Sequence, residues 1–284
     1  MKVLILGAGD LGTEAGLRFV AAGHEVTAWR RRPELLPGSF NTARVDLGDL
    51  ATELPKIDSE IGIVVFTPAA AERSEEAYRR TYLEATRRVF DALERDGVKP
   101  QRFLLVSSTA VYGDANGGWL NEDSAVSPRT PTAQILTQTE TLVRDSADEP
   151  IILRLSGIYG PGRNHLINQV RTGTARSPDT IAWTNRIHRD DAAAALVHLC
   201  TMPQTPADTY IGVDHEPADL ADVQRFIADA FHLPAPVPGD APVVRGGDRR
   251  LSNARLLSTG FNFEFPSYRE GYASVLAGQG LRHP

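Results

Sequence analysis

The chain has 284 residues, 42% of them hydrophobic, with 36 acidic against 30 basic side chains and a net charge of −6. That suits one large globular unit or one and a half, and the acidic balance argues against nonspecific nucleic-acid binding. No apolar run approaches the ~18 residues that span a membrane, no signal-peptide pattern precedes the first strand, and a lone cysteine, Cys200, excludes an intrachain disulfide, so the cytoplasm is the simplest compartment.

Val3–Leu6 is a strand-like apolar run that breaks into Gly7-Ala8-Gly9-Asp10-Leu11-Gly12 before a helical pattern begins. This is G-x-G-x-x-G between strand and helix, the context in which the spacing carries meaning. Gly7 turns the chain off the strand, Gly9 lets a pyrophosphate approach the backbone, and Gly12 lets the helix pack closely on the sheet. The helix N-terminus, with Asp10 and Leu11 in its first turn, offers free N–H groups to phosphates. Leu11, Ala15, Phe19 and Ala22 fall on one helical face, and Gly23 is a natural C-cap.

The second strand, Val26–Trp29, ends in Arg30-Arg31-Arg32, where an NAD enzyme usually carries an acid for the ribose 2′-hydroxyl. Guanidinium groups bind a 2′-phosphate bidentately, so Arg30 and Arg31 favour NADP over NAD. A third strand at Ala43–Val45 leads to Asp46, placed to accept from an adenine amino group, and Leu47, placed to pack on the ring. Ile61–Phe66 is apolar throughout, as a parallel strand buried on both faces is. It ends in Thr67-Pro68-Ala69-Ala70, a loop of small residues along which cofactor could lie. A long charged helix over 72–96 follows.

Phe103–Val106 is the fifth strand and runs into Ser107-Ser108-Thr109-Ala110-Val111-Tyr112-Gly113. Hydroxyls at the carboxyl end of a central strand sit where open α/β sheets bind ligand. Residues 114–131 form a polar rim, 133–147 a helix and Ile151–Leu155 a sixth strand. The alternation predicts an α/β fold, a Rossmann-type doubly wound parallel sheet over 1–156. From 157 to 284 the pattern loosens. A turn-rich segment ending at Arg163, a helix at Asp190–Met202, a strand at Thr209–Val213, a helix at Leu220–Phe231 and a Pro- and Gly-rich, mobile connection at 234–247 make a smaller, interleaved C-terminal substrate lobe. Cys200 reads as a helix-core residue. The seven histidines are scattered, with no metal-ligand spacing.

The stretches SSTAVYGD, ILRLSGIYGPGR, NRIHRDDAAAAL, YIGVDHEPADL and RLSNARLLSTGFNFEFPSYREG, with the opening glycine motif, resemble extended or atypical short-chain dehydrogenases/reductases of the NAD-dependent epimerase/dehydratase type, YeeZ-like proteins among them. The resemblance implies that Ser108 is the active-site hydroxyl that orients the substrate oxygen. It implies a Tyr-x-x-x-Lys pair one helix later, the Lys lowering the phenol pKa. Registered on Glu140, those positions are Thr132 and Leu136. No tyrosine lies between residues 113 and 158, and the only lysines are Lys2, Lys56 and Lys99. Tyr112 is then the nearest candidate acid/base, although in the family it packs beneath the site. Thr109, Arg163 and Arg186 come from segments on the family's substrate side, where either arginine could clamp an anion or pair with an acid. By the same likeness His188 holds a loop, Asp191 caps a helix, and the helices at 72–96 and 133–147 pair two chains into a homodimer.

Three readings follow. One is an NADP-dependent oxidoreductase or epimerase/dehydratase acting on a small molecule with a non-standard acid/base. Another is a redox-inactive NAD(P)-binding sensor or assembly protein. A lyase or isomerase with no hydride step is a third.

Overall fold

In the computed structural model, which describes residues 1–239 and 247–284, the first half alternates strand and helix as its hydrophobic pattern predicts. The elements run β1 (Lys2–Leu6), α1 (Asp10–Ala21), β2 (Glu25–Arg30), β3 (Asn41–Arg44), β4 (Ile61–Phe66), α2 (Glu75–Tyr78), α3 (Ala85–Arg95), β5 (Arg102–Ser108), β6 (Trp119–Leu120), α4 (Pro131–Ser146) and β7 (Glu149–Leu155). Then come β8 (Ile158–Tyr159), α5 (His165–Arg171), β9 (Trp183–Thr184), β10 (Ile187–His188), α6 (Arg189–Thr201), β11 (Thr209–Gly212), β12 (Ala218–Asp219), α7 (Leu220–Ala230), β13 (Arg250–Leu251), α8 (Ala254–Ser258) and α9 (Tyr268–Leu276).

Seven strands form one sheet in the order β11-β7-β5-β4-β1-β2-β3, every pairing parallel. Both faces of the central strands are buried, so β1, β4, β5 and β7 alternate between two cores rather than between core and solvent. Val3 and Ile5 pack with Leu11, Ala15, Phe19 and the alanines of α6. Leu4 and Leu6 pack on the other face with Val89, Leu93 and Val143. Chain order reverses between β1 and β4, and the carboxyl ends of the parallel strands share one edge, the place where such sheets bind ligand.

Several boundaries differ from the sequence pattern. The long helix is three pieces, because Arg79–Glu84 between α2 and α3 winds as a π-helix. Ala22 is exposed, serving as the C-cap of α1 rather than as part of its buried face. Thr130 caps α4 through Ala133 N, so the helix starts at Pro131. The rim loop contains β6, which pairs with β13 from near the far end of the chain. The stretch 234–247 lies partly outside the described residues; within it, Gly239 N donates to Ser177 O and Ser177 N to Val237 O. Cys200 is buried in the α6 core, and burial pushes its thiol up to about 12. Among the described residues no helix is long and apolar enough to cross a membrane.

One buried network ties α4 to the sheet. Glu140 is fully buried. It accepts from Ser107 Oγ at 2.6 Å and from Arg154 Nη2 at 2.6 Å, while Arg154 Nη1 donates to the Tyr112 hydroxyl at 2.7 Å. Removing one partner of such a pair strands the other charge in a low-dielectric interior. Glu140→Gln is therefore expected to lower the unfolding free energy by about 3 kcal/mol in urea titration, whereas Glu140→Leu with Arg154→Met recovers most of that loss.

Candidate functional site

The opening turn has no spare room on its inner side. Gly7 adopts φ +79°, and a Cβ there would lie 2.9 Å from Thr67 O. A Cβ on Gly12 would come within 2.8 Å of Thr67 Oγ1 and 3.3 Å of Ile5. A Cβ on Gly9 would meet nothing closer than 3.9 Å, so its outer side is open. Gly9 is also the N-cap of α1, and no side chain caps that helix. These are the conditions for a diphosphate on backbone N–H groups.

The three arginines stand at the tip of β2. Arg30 is half-buried, and its Nη1 has no hydrogen-bond partner among the described residues. Burial, with Arg32 nearby, lowers its pKa. Arg31 and Arg32 are exposed. An unmatched buried guanidinium nitrogen costs free energy unless something accepts from it. A 2′-phosphate would do so, and the residues present therefore fit NADP.

Other expected cofactor contacts are differently engaged. Thr67 directs its hydroxyl inward to Gly7 O at 2.8 Å, and so locks the turn instead of meeting ligand. Asp46 accepts from Gly48 N at 3.0 Å, closing its own turn. Leu47 is buried in the core beneath the sheet with Trp29. Leu11 is likewise a core residue. Asp10 keeps its place in the turn, but its carboxylate is taken by Arg189 Nη1 at 2.5 Å, Arg163 Nε at 3.0 Å and His283 N at 3.1 Å. Ser107 is bound to Glu140 in the interior and does not face a cofactor.

At the carboxyl end of β5, Ser108 is half-exposed, and its Oγ accepts from Ala110 N at 3.2 Å. Its proton has no acceptor among the hydrogen bonds of the described residues and can be donated to a substrate oxygen. Tyr112 is corrected as an acid/base: it is 1% exposed, its hydroxyl is held by Arg154, and burial raises its pKa. Thr109 is buried, its carbonyl accepting from Arg249 at 2.7 Å, so it does not form a substrate wall. Arg163 pairs with Asp10 at the β1–α1 turn, the ion-pair alternative of its two expected readings. Arg186 is 5% exposed and donates to Thr184 Oγ1 at 2.5 Å, while its Nη1 is unpartnered among the described residues.

The Lys position of the missing pair is apolar. Leu136 is buried among Val111, Tyr112, Ile211 and Val213, and Thr132 shares a hydrogen bond with Thr130. Burial raises the phenols of Tyr82 and Tyr159 as well, the opposite of what a general base needs. His188, not Asp191, caps α6, its Nδ1 accepting from Asp190 N. Asp191 instead accepts from Glu264 N and Phe265 N at 2.8 and 3.0 Å, tethering a distant loop.

Sequence reasoning missed Arg249. It is 3% exposed and reaches back to Thr109 O, Tyr112 O and Gly113 O, holding the Ser108 turn from the C-terminal lobe. Nothing in the string Asp248-Arg249-Arg250 separates this residue from a solvated basic turn. Asp214, just beyond β11, was missed too. Its Oδ2 has no partner among the described residues. No group of three or more potential metal ligands occurs among the described residues.

The family model for the NAD dependent epimerase/dehydratase family matches residues 3–212. A solved NAD-dependent epimerase/dehydratase from Methylobacillus flagellatus is 36% identical, with a TM-score of 0.80 and 98% of each chain covered. MoeE5, solved with UDP-glucose and NAD, is 25% identical over 98% of each chain, with a TM-score of 0.79. The human epimerase family protein SDR39U1, solved with NADPH, shares the fold at 22% identity and a TM-score of 0.77, over 98% of this chain and 99% of that one. No curated protein matches the chain.

Burial pushes the Asp214 carboxyl up to about 7 from 3.8, against the pull of Arg186. A group protonated more readily in the fold than in the unfolded chain contributes less stability as pH rises between those two values. His188, lowered to about 4 by burial, acts in the opposite direction, so the variant is compared with wild type at each pH. Asp214→Asn removes the buried charge. The difference in Tm, variant minus wild type, is expected to grow from pH 5 to pH 8 in thermal melts.

Proposed function

Because the chain belongs to the NAD dependent epimerase/dehydratase family, we propose that it holds NADP at the β1–α1 turn. On that reading it acts on a small molecule as an oxidoreductase or epimerase/dehydratase with an altered acid/base. The observation that carries the cofactor choice is Arg30, half-buried at the tip of β2 with Nη1 unpartnered among the described residues. Gly9 and the uncapped start of α1 would take the diphosphate. The nicotinamide, when bound, supplies or accepts hydride.

The chain's own part is to bind and orient. Ser108 donates its free proton to the substrate oxygen, and Arg249 fixes the turn that carries Ser108. With Thr132 and Leu136 in the dyad positions, no lysine tunes a phenol there; the proton moves through water or a group outside that helix. The C-terminal residues 157–284 are proposed as the substrate lobe. MoeE5, at 25% identity, is solved with a nucleotide sugar, which supports a small-molecule substrate. The location we assign is cytoplasmic, in keeping with a single, buried free thiol.

We further assign a homodimer through the outer faces of α3 and α4. A groove there is lined by Leu83, Arg87, Pro128, Thr137 and Leu142. A charge placed in an apolar interface opposes association. Light scattering is expected to give about twice 30.9 kDa for wild type and 30.9 kDa for Leu142→Asp.

Fluorescence titration tests the cofactor. NADPH is expected to bind more tightly than NADH. Arg30→Gln should weaken NADPH roughly tenfold, the loss that follows removal of a charged hydrogen-bond partner, and leave NADH nearly unchanged. Tighter binding of NADH overturns the assignment.

A further inference from the structure

Arg250 lies over two indoles. Its guanidinium carbon lies 5.2 Å from the Trp119 ring centre and 4.8 Å from that of Trp183. The three residues come from both halves of the chain. Trp119 sits in the loop leaving the Ser108 turn, and Trp183 and Arg250 lie on β9 and β13 of the C-terminal lobe. β13 pairs with β6, Arg250 opposite Trp119. Asp248 Oδ1 accepts from the backbone N–H of Trp183 at 2.8 Å, which ties the strand that bears the second indole to the segment entering β13. Gly117, at φ +77°, lies against that indole; a Cβ there would sit 3.3 Å from it.

The guanidinium lies over both rings. Arg250 Nε donates to Gly117 O at 2.8 Å. What is left is the Nη edge, a rigid fork of donors, and no ion pair occupies it among the described residues. The indole N–H groups of Trp119 and Trp183 have no acceptor among those residues either. Trp119 stays 57% exposed, a large apolar surface left in water at the boundary between two lobes, where ligand sites concentrate. A stacked guanidinium gives up little side-chain freedom on binding, and its fork matches a planar or tetrahedral oxyanion. The chain as a whole carries a charge of −6, so diffuse attraction would not draw an anion here; a local site would.

We propose that the Trp119–Arg250–Trp183 stack is a binding site for an oxyanion, a carboxylate or phosphate group carried by the substrate. As a statement about substrate, it rests on the proposed reading of the cleft. Arg249 and Arg250 divide the work by strand alternation: Arg249 turns inward to hold the Ser108 turn, and Arg250 turns to the opposite face, where the anion is met.

The chain has three tryptophans, and Trp29, buried in the core, is an internal control. Indole N–H resonances of the full-length protein, assigned with Trp119→Phe and Trp183→Phe, are followed during titration with inorganic phosphate and, separately, with benzoate. Chloride holds the ionic strength constant. The Trp119 and Trp183 resonances are expected to move saturably, while a shift of Trp29, which precedes Arg30, reports phosphate at the proposed cofactor site instead. Arg250→Gln should weaken the response at least tenfold with Trp29 unmoved, which shows that the fold is intact. A response to phosphate alone assigns a phosphoryl group, and one to benzoate alone a carboxylate. No saturable response to either anion, or an equal response in Arg250→Gln, overturns the proposal. NADPH titration of the same sample separates the two readings: loss of NADPH binding with the anion response intact defeats the cofactor assignment only.

Discussion

The structure depends on the contact between the opening turn and Thr67. β1 and β4 are neighbours, and the turn leaving β1 lies so close to the start of the loop leaving β4 that two side chains are forbidden, at Gly7 and Gly12. Thr67 completes the contact by donating to the Gly7 carbonyl. Because the inner side is filled, the outer side of the turn is the one left open. The same contact sets the direction of α1 and hence the position of Asp10. That carboxylate gathers Arg163, Arg189 and the backbone of His283, so the far half of the chain is anchored to the first turn of the first helix. An ordinary sequence reading makes Asp10 a residue of the cofactor loop. Its carboxylate is equally a tie between the two halves.

What the sequence made legible follows from periodicity. Runs such as Ile61–Phe66 have no polar face, and only a strand between two helical layers can bury them. The glycines of the turn are legible because each has a separate steric reason. The helix ends were less so, because caps are made by side chains whose partners are one turn away. Thr130 starts α4 and His188 starts α6, and neither stands out from its neighbours in the string. The π-helical turn between α2 and α3 has no composition signal at all.

The site residues divide along the same line. Gly9, Arg30 and Ser108 stand where local spacing puts them, at the start of α1 and at the carboxyl ends of β2 and β5. The surroundings of Ser107, Tyr112 and Thr109 were not legible because their partners are distant in sequence, whereas the acid that Arg163 meets was one of its two expected readings. Ser107 and Tyr112 are joined through Glu140 and Arg154, Thr109 meets Arg249, and Arg163 meets Asp10. A side chain at a strand's carboxyl end can point along the strand into solvent or back into the layer, and a one-residue step decides which. Ser107 and Ser108 are the two outcomes side by side.

The absence of the Tyr–Lys pair is physically consistent with what surrounds it. A lysine at Leu136 would be charged inside the cluster of Val111, Tyr112, Ile211, Val213 and Leu251, where desolvation disfavours an unpaired ammonium. The position has become part of the packing that seats the Ser108 turn. The positive charge near that turn comes from another direction. Arg249 is buried, its partners are carbonyl oxygens, and burial brings its pKa down to about 10. It remains a cation at neutral pH, held behind Thr109, in an interior where charge is screened weakly. Its donors are spent on the carbonyls of the turn that carries Ser108, so Arg249 seats that turn from the C-terminal half of the chain. With Leu136 packed and Thr132 bonded to Thr130, neither a phenol nor an ammonium stands at those positions of α4, and what the helix supplies there is packing beneath the Ser108 turn.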